Sequence, residues 1–286
     1  MKTGVDILTW ASGLTTSLSP SSTAKTFNLK HLKASLIFFF VGLYSIAFSQ
    51  NVKSISVDNL GGIYHITATD TLFKFSPNTP VDYNYSNKTL GAIGAINTQN
   101  PLKILVGHPG LSTIVVLDVT LRETSRIFLP DLNIFSDSTA FCLTPDNNIY
   151  LYDDFEQQVV TVTETGQEIQ RSPTLLQEVG YIPQVQSMVF ENNVLYLNDP
   201  RYGLLMLDQF GKYLRTLPLK GLNAFQVIGN RVYYVENGQL ISYNNRYFDK
   251  QVILDLPEAT QQINIADKKV YALRQGTVLE ISPQKP

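Results

Sequence analysis

The sequence predicts an all-β protein, a six-bladed β-propeller of four-stranded antiparallel blades. The first observation is composition: of 286 residues, 44% are hydrophobic and 16% charged, and 15 Tyr and 15 Phe favour strands. The second is a pattern of short apolar strands that recurs six times. The third is that no stretch has useful helical periodicity and no Pro/Gly/Ser-rich linker divides the repeats.

Each repeat is anchored by a short apolar and aromatic strand that follows a turn. The anchors begin 38 to 45 residues apart, at positions 63, 104, 149, 194, 232 and 270. A second alternating strand follows each anchor, a shorter apolar strand precedes it, for example 92–96 (AIGAI) in the second copy, and a more polar fourth strand such as 212–216 follows in most copies. Four short strands in about forty residues are typical of a propeller blade.

The two ends of the repeat array are its least regular parts. The chain stops at Pro286, directly after the third strand of the sixth copy, so we expect three strands in the last blade. The first two copies are weakly patterned, because the segment 76–92 is long and polar.

The first fifty residues have the form of a secretory leader. An apolar run at 34–48 follows basic residues and ends in an A-x-S motif before Gln50, which predicts a signal-peptide helix. We therefore assign 1–33 to a disordered extension or a misassigned start, 34–49 to the signal h-region and cleavage site, and 50–286 to the propeller. The protein is then secreted or periplasmic. The alternative is a retained membrane anchor, for which fifteen apolar residues are short, since about twenty span a bilayer.

Charge and cysteine content exclude several classes of function. Cleavage before Gln50 would leave 18 basic and 23 acidic side chains, and this negative chain has no electrostatic reason to bind nucleic acid. The single cysteine, Cys142, excludes an intramolecular disulfide and a multi-cysteine metal site. It lies in an apolar stretch, where a small buried side chain is expected.

One repeat resembles a known family. The segment 208–215 (DQFGKYLR) is similar to the strand–turn–strand signature of NHL-like six-bladed β-propellers of the secreted or periplasmic bacterial type, in which an Asp and a Gly shape the hairpin. The segment 163–169 (TETGQEI) is a weaker second copy. The resemblance implies an architecture, on which many unrelated functions are built.

The turns between the second and third strands of all blades are expected at the same end of the propeller. They supply the candidate binding residues, which are Asp70, His108, Asp153, Asp154, Asp199, Glu236 and Arg274. Five carboxylates on one rim predict a site for a divalent cation such as calcium, or for a basic peptide. The alternative is that turns favour Asp for backbone reasons alone.

No catalytic motif is present: G-x-S-x-G, H-E-x-x-H and a P-loop are all missing from the sequence. Calcium-dependent propeller hydrolases resemble this frame and place Glu, Asn and Asp at the central channel. Here the inner strands offer Asn97, Gln226 and Asn264 and no identified carboxylate. We therefore expect a non-catalytic binding or scaffold module, without a cofactor, that presents one face to a protein, peptide or glycan. The alternative is a metal-assisted hydrolase or lyase acting at the channel mouth.

Overall fold

The computed structural model describes residues 42–46, 51–76, 82–134 and 140–282. These residues form six four-stranded antiparallel sheets, each made mainly of strands consecutive in the chain. The prediction of a six-bladed propeller is confirmed.

The first three blades follow one another in chain order. Blade 1 contains β2 Val52–Val57, β3 Ile63–Thr67, β4 Leu72–Phe75 and β5 Tyr83–Tyr85. Blade 2 contains β6 Ala95–Asn100, β7 Lys103–His108, β8 Thr113–Leu117 and β9 Glu123–Phe128. Blade 3 contains β10 Phe141–Leu143, β11 Ile149–Asp153, β12 Gln158–Val162 and β13 Glu168–Arg171.

The last three blades repeat the pattern. Blade 4 contains β14 Ser187–Glu191, β15 Val194–Asp199, β16 Gly203–Asp208 and β17 Tyr213–Leu217. Blade 5 contains β18 Phe225–Ile228, β19 Arg231–Glu236, β20 Gln239–Asn244 and β21 Lys250–Asp255. Blade 6 contains β22 Thr260–Ala266, β23 Lys269–Arg274, β24 Thr277–Ser282 and, at its edge, β1 Gly42–Ile46. One short helix, α1 Leu175–Val179, and two 3-10 turns, Pro109–Leu111 and Leu129–Leu132, lie between strands.

The core is divided among the interfaces between blades. Six clusters of buried apolar residues each join two neighbouring blades, and the cluster joining blades 6 and 1 closes the ring. Tyr64, Tyr150 and Tyr271 occupy equivalent anchor positions and are buried in three of these clusters, as inter-blade packing predicts. Cys142 is also buried in one of them, and burial raises the pKa of its thiol.

The inner strand of blade 2 differs from the expected position. The apolar pattern placed it at 92–96, whereas β6 begins at Ala95 and runs to Asn100. Gly94 still donates its backbone N–H to Gly107 at 2.9 Å, and Ile93 is buried. The apolar residues before β6 therefore pack between blades 1 and 2, and the polar residues after them form the strand.

The last blade takes three strands from the C-terminal repeat, as predicted. Its outer place is filled by β1, whose backbone pairs antiparallel with β24 from Gly42 opposite Ser282 to Ile46 opposite Val278. These five residues lie in the predicted signal-peptide helix, yet their backbone is extended. The free edge of β24 offers unpaired N–H and C=O groups that a strand satisfies. The other residues of 34–49, and the extension 1–33, lie outside the described residues. No helix in the part of the chain that the structure describes is long and apolar enough to cross a membrane.

Candidate functional site

The turns between the second and third strands of all six blades lie at one end of the propeller, which we call the turn face. This follows from the blade topology, because every blade runs from its inner to its outer strand in the same direction. The connections from one blade to the next lie at the same end. All seven predicted binding residues fall in or beside these turns.

Asp70 and Glu236 each form an ion pair within the propeller. Lys53, on the inner strand of blade 1, lies 3.3 Å from the Asp70 carboxylate. Lys250, on the outer strand of blade 5, pairs with Glu236. Both pairs are substantially exposed, so each contributes little to stability.

Asp153 is buried inside its own turn. Its Oδ1 accepts hydrogen bonds from the backbone N–H groups of Phe155 and Glu156, both at 3.2 Å, and its Oδ2 lies 2.9 Å from Arg171 Nη1. The carboxylate therefore shapes the turn. Its neighbour Asp154 is half-buried.

Asp199 has the same role in blade 4. It is fully buried and accepts hydrogen bonds from Gln184 N–H at 2.8 Å and from the backbone and guanidinium of Arg201. Burial alone would raise the pKa of Asp199, but the hydrogen bonds from Arg201 and Gln184 outweigh burial and hold this pKa below its usual value. Burial, and then the negative charges of Asp154, Asp199 and Asp153, raise the pKa of the Tyr152 phenol.

His108 is a packed histidine. It is fully buried, its Nδ1 lies 3.3 Å from Gly91 O, and its Nε2 lies 3.2 Å from Tyr85 Oη. Because a carbonyl oxygen only accepts, Nδ1 carries the proton and Nε2 accepts from the Tyr85 hydroxyl. Burial lowers the pKa of His108. Arg274 is partly buried, and its Nε has no hydrogen-bond partner among the described residues.

The turn face therefore holds its carboxylates mostly in local pairs. Within the described ranges there is no group of three or more His, Cys, Asp or Glu side chains that could hold a metal ion. The divalent cation remains a prediction.

The face also carries an exposed apolar surface that the sequence analysis missed. Four exposed apolar residues stand in the turns of blades 3 and 4 and in the connection between these blades, and we call them the apolar turn patch: Phe155, Leu176, Ile182 and Tyr202. Phe155 is 74% and Ile182 57% exposed. The signal was present in the turn sequences DDFE and GYIP, where apolar side chains stand among turn residues.

Hydrogen bonds and stacking hold the patch in place. The backbone N–H of Leu175, at the start of α1, donates to Gln157 O at 2.8 Å and ties the helix to the Phe155 turn. Arg201 Nη2 donates to Ile182 O at 2.8 Å. The Tyr181 and Tyr202 rings stack with centroids 3.7 Å apart. The patch is therefore pre-formed.

The charge of the chain is unevenly distributed around this patch. Residues 127–199 contain eleven acidic side chains and one basic side chain, Arg171, which pairs with Asp153 and Glu168. Residues 200–286 contain eleven basic and seven acidic side chains. Glu156 and Glu178, both exposed, flank the patch in sequence. The apolar surface thus lies beside the acidic part of the chain, and Arg201, which pairs with Asp199, also contacts it through Ile182 O and the Tyr202 ring.

The central channel is a separate, mainly neutral cavity of about 740 Å³. Asn97, Gln226 and Asn264 line it, as the sequence predicts. The expectation that no carboxylate reaches the channel is wrong, because Asp58, Glu191 and Asp267 are all in the lining. Glu191 accepts a hydrogen bond from Gly229 N–H at 3.1 Å, and buried Asp58 accepts one from Gly62 N–H at 2.7 Å. Glu191 is the last residue of β14, the inner strand of blade 4. The sequence pattern does not distinguish a residue at the end of this strand from one in a solvent-exposed turn.

Comparisons with solved structures show the fold. The chain is similar to a catalytically inactive variant of virginiamycin B lyase from Staphylococcus aureus with quinupristin, at 12% identity and a TM-score of 0.55, over 81% of this chain and 80% of that one. It is similar to the Pan2 WD40 domain of Neurospora crassa, at 9% identity and a TM-score of 0.59, over 83% and 90%. It is also similar to BamB from Moraxella catarrhalis, at 12% identity and a TM-score of 0.50, over 80% and 82%. No family model and no curated sequence matches the chain. The chain is a β-propeller, a fold on which many unrelated functions are built.

Proposed function

We propose that this protein is a non-catalytic, extracytoplasmic β-propeller that binds a protein partner through the apolar turn patch. The observation that carries the proposal is this rigid group of exposed apolar side chains beside the acidic part of the chain. Single exposed apolar residues are ordinary on protein surfaces, but a cluster on one face is typical of an interaction site.

The charge around the patch defines the partner's chemistry. A partner segment with apolar side chains and Lys or Arg beside them would match both the patch and Glu156 and Glu178. A peptide of the same composition would use the same surface. A glycan would have little use for the aliphatic Leu176 and Ile182 side chains, so a protein or peptide is the favoured ligand.

The compartment follows from the N-terminal sequence. The apolar run 34–48 and the A-x-S motif support export and cleavage before Gln50, to a secreted or periplasmic location. Cleavage there also removes β1, so blade 6 of the mature chain keeps the three strands of the C-terminal repeat. The alternative is a chain tethered to the membrane by 34–48. Mass spectrometry of the mature N-terminus in its native host distinguishes the two locations.

The NHL-like assignment is supported by the turn at Asp208, where Oδ1 accepts from the N–H groups of Phe210 and Lys212, both at 2.9 Å.

Site-specific photo-crosslinking tests the binding face. A photoreactive phenylalanine analogue is placed at Phe155 or Tyr202 on the turn face, and at Tyr247 as the matched control. Tyr247 is 80% exposed and lies in a turn at the opposite end. We expect a discrete adduct from the first two positions that is lost when Glu156 and Glu178 are both changed to Lys. Equal adducts from both ends, or adducts insensitive to the charge reversal, would contradict the proposal.

The metal-assisted hydrolase or lyase remains the alternative. Its support is fold similarity to lyases and the Glu191 carboxylate in the channel. Metal analysis of the purified protein and a thermal melt with and without EDTA test it. Bound calcium or zinc, with a melting temperature that falls on chelation, would favour this alternative over a simple scaffold.

A further inference from the structure

A groove of about 680 Å³ lies between blades 4 and 5, at the end of the propeller opposite the turn face. Its volume is within the range of small-molecule sites. It is lined by residues from turns of both blades and from strands β15, β16 and β17 of blade 4, which are Asn192, Val194, Tyr196, Met206, Leu214, Arg215, Asn230, Asn245 and Arg246. No part of the proposed function uses this groove.

Arg215 is held in the groove by neutral groups. Its Nε donates to Met206 Sδ at 3.4 Å, its Nη2 donates to Asn245 O, and its guanidinium lies 5.2 Å from the centroid of the Phe248 ring. These contacts leave Nη1 for a further acceptor. The half-buried guanidinium is therefore fixed in position before any ligand arrives.

No carboxylate of the described residues lies within ion-pair distance of Arg215 or of exposed Arg246. By contrast, four other arginines, Arg126, Arg171, Arg201 and Arg231, each pair with Asp or Glu. Two arginines without acidic partners thus line one concave site.

The remaining lining suits an organic molecule. The Tyr196 hydroxyl accepts from Asn245 Nδ2 at 2.7 Å, which leaves its proton to donate. Val194, Met206 and Leu214 supply apolar surface, and Leu214 is 50% exposed. Asn192 and Asn230 add amides from the turns.

We propose that this groove binds an organic carboxylate with an apolar body. The carboxylate would accept hydrogen bonds from Arg215 and Arg246, for which the arginine fork is well suited, and the body would cover Leu214 and Met206. Phosphate would match the positive charge of the two arginines but leave Leu214 and Met206 uncovered.

The test is an NMR titration of the full chain with N-acetyl-leucine, N-acetyl-leucinamide and inorganic phosphate as probes. We expect saturable shifts with N-acetyl-leucine, none with the neutral amide, and weaker binding of phosphate. Arg246→Gln and Arg215→Lys should each weaken N-acetyl-leucine binding about tenfold, the size of one lost charge-assisted hydrogen bond. Lys212→Gln is the matched control, because Lys212 is exposed on blade 4 and does not line the groove.

Three results would overturn the proposal. They are no saturable shift with N-acetyl-leucine, equal binding of the amide, or binding that Arg246→Gln leaves unchanged. Phosphate binding stronger than N-acetyl-leucine would overturn the organic carboxylate. Arg246 makes no side-chain contact that the described fold needs, so loss of binding in that variant does not report unfolding.

Discussion

The side-chain amide of Gln226 in blade 5 pairs with the backbone of Ile265 in blade 6. Gln226 Oε1 accepts from Ile265 N–H and Gln226 Nε2 donates to Ile265 O, both at 2.8 Å. Gln262 repeats the arrangement across the ring closure: its Oε1 accepts from Ile55 N–H at 3.1 Å and its Nε2 donates to Ile55 O at 2.8 Å. Each glutamine side chain thus makes the same pair of hydrogen bonds to the next inner strand that a neighbouring strand would make.

Replacing either glutamine by leucine should destabilise the propeller. Gln226→Leu and Gln262→Leu each leave an inner-strand N–H and C=O without this partner, and we expect a loss of about 1–2 kcal/mol for each. Urea denaturation measures the change. Gln261→Leu is the control, because Gln261 is exposed beside Gln262. If all three variants unfold at the same urea concentration, the amide pairs do not stabilise the ring.

Removal of the N-terminal segment should weaken the last blade. A chain that begins at Gln50 lacks β1, so the outer edge of β24 loses its backbone partner. Compared with a chain that begins at Phe40, we expect a melting temperature lower by about 5 °C. Calorimetry on the two purified chains makes the comparison, and equal melting temperatures would show that β1 does not stabilise blade 6.

The repeat could be predicted from sequence because both faces of the anchor strands are buried. Such strands read as continuous apolar runs, for example 149–152 (IYLY) in β11, where every residue is buried. The channel strands are less evident, because only one side of them packs. For this reason the predicted inner strand of blade 2, at 92–96, differs from β6, which is Ala95–Asn100. The apolar turn patch was missed because its members come from three separate segments, which share one face only once blades 3 and 4 pack together.

The hairpin turn shaped by Asp208 also occurs in blade 2, where the sequence motif did not reveal it. Asp118 Oδ1 accepts from Thr120 N–H at 2.8 Å and Arg122 N–H at 3.0 Å, as Asp208 does in blade 4. At the position of Gly211, which has a φ of 83°, this turn has Leu121 with a φ of 60°. A sequence motif that requires glycine at this turn position therefore does not detect the equivalent turn of blade 2.

Asp118→Ala and Asp208→Ala should each cost about 1 kcal/mol, because each removes a carboxylate that accepts two turn N–H groups. Thermal unfolding of the two variants measures the cost. Asp146→Ala is a suitable control, since Asp146 is exposed in another hairpin. Losses confined to only one of the two variants would contradict an equivalent role of the two turns.

Acid should destabilise the protein through His65. This side chain is buried on β3 and stacks on Phe73 with ring centroids 5.2 Å apart. Burial lowers the pKa of His65 to about 4, against a weaker opposing effect of Asp82. Since the unfolded chain protonates near pH 6.5, it binds the proton before the folded protein does. The contribution of His65 to stability is therefore full above pH 6.5 and is lost as the pH falls towards 4, by up to about 3 kcal/mol.

The variant His65→Phe tests this pH dependence. Phenylalanine keeps an aromatic ring beside Phe73 and cannot titrate. The free energy of unfolding of the variant should therefore fall less between pH 6.5 and 4 than that of the native chain. His108, whose pKa burial also lowers, leaves part of the dependence in place. Urea denaturation at half-unit steps of pH gives the two curves. Parallel curves for the native chain and His65→Phe would show that His65 is not responsible for the acid sensitivity, whatever the stability of the variant at neutral pH.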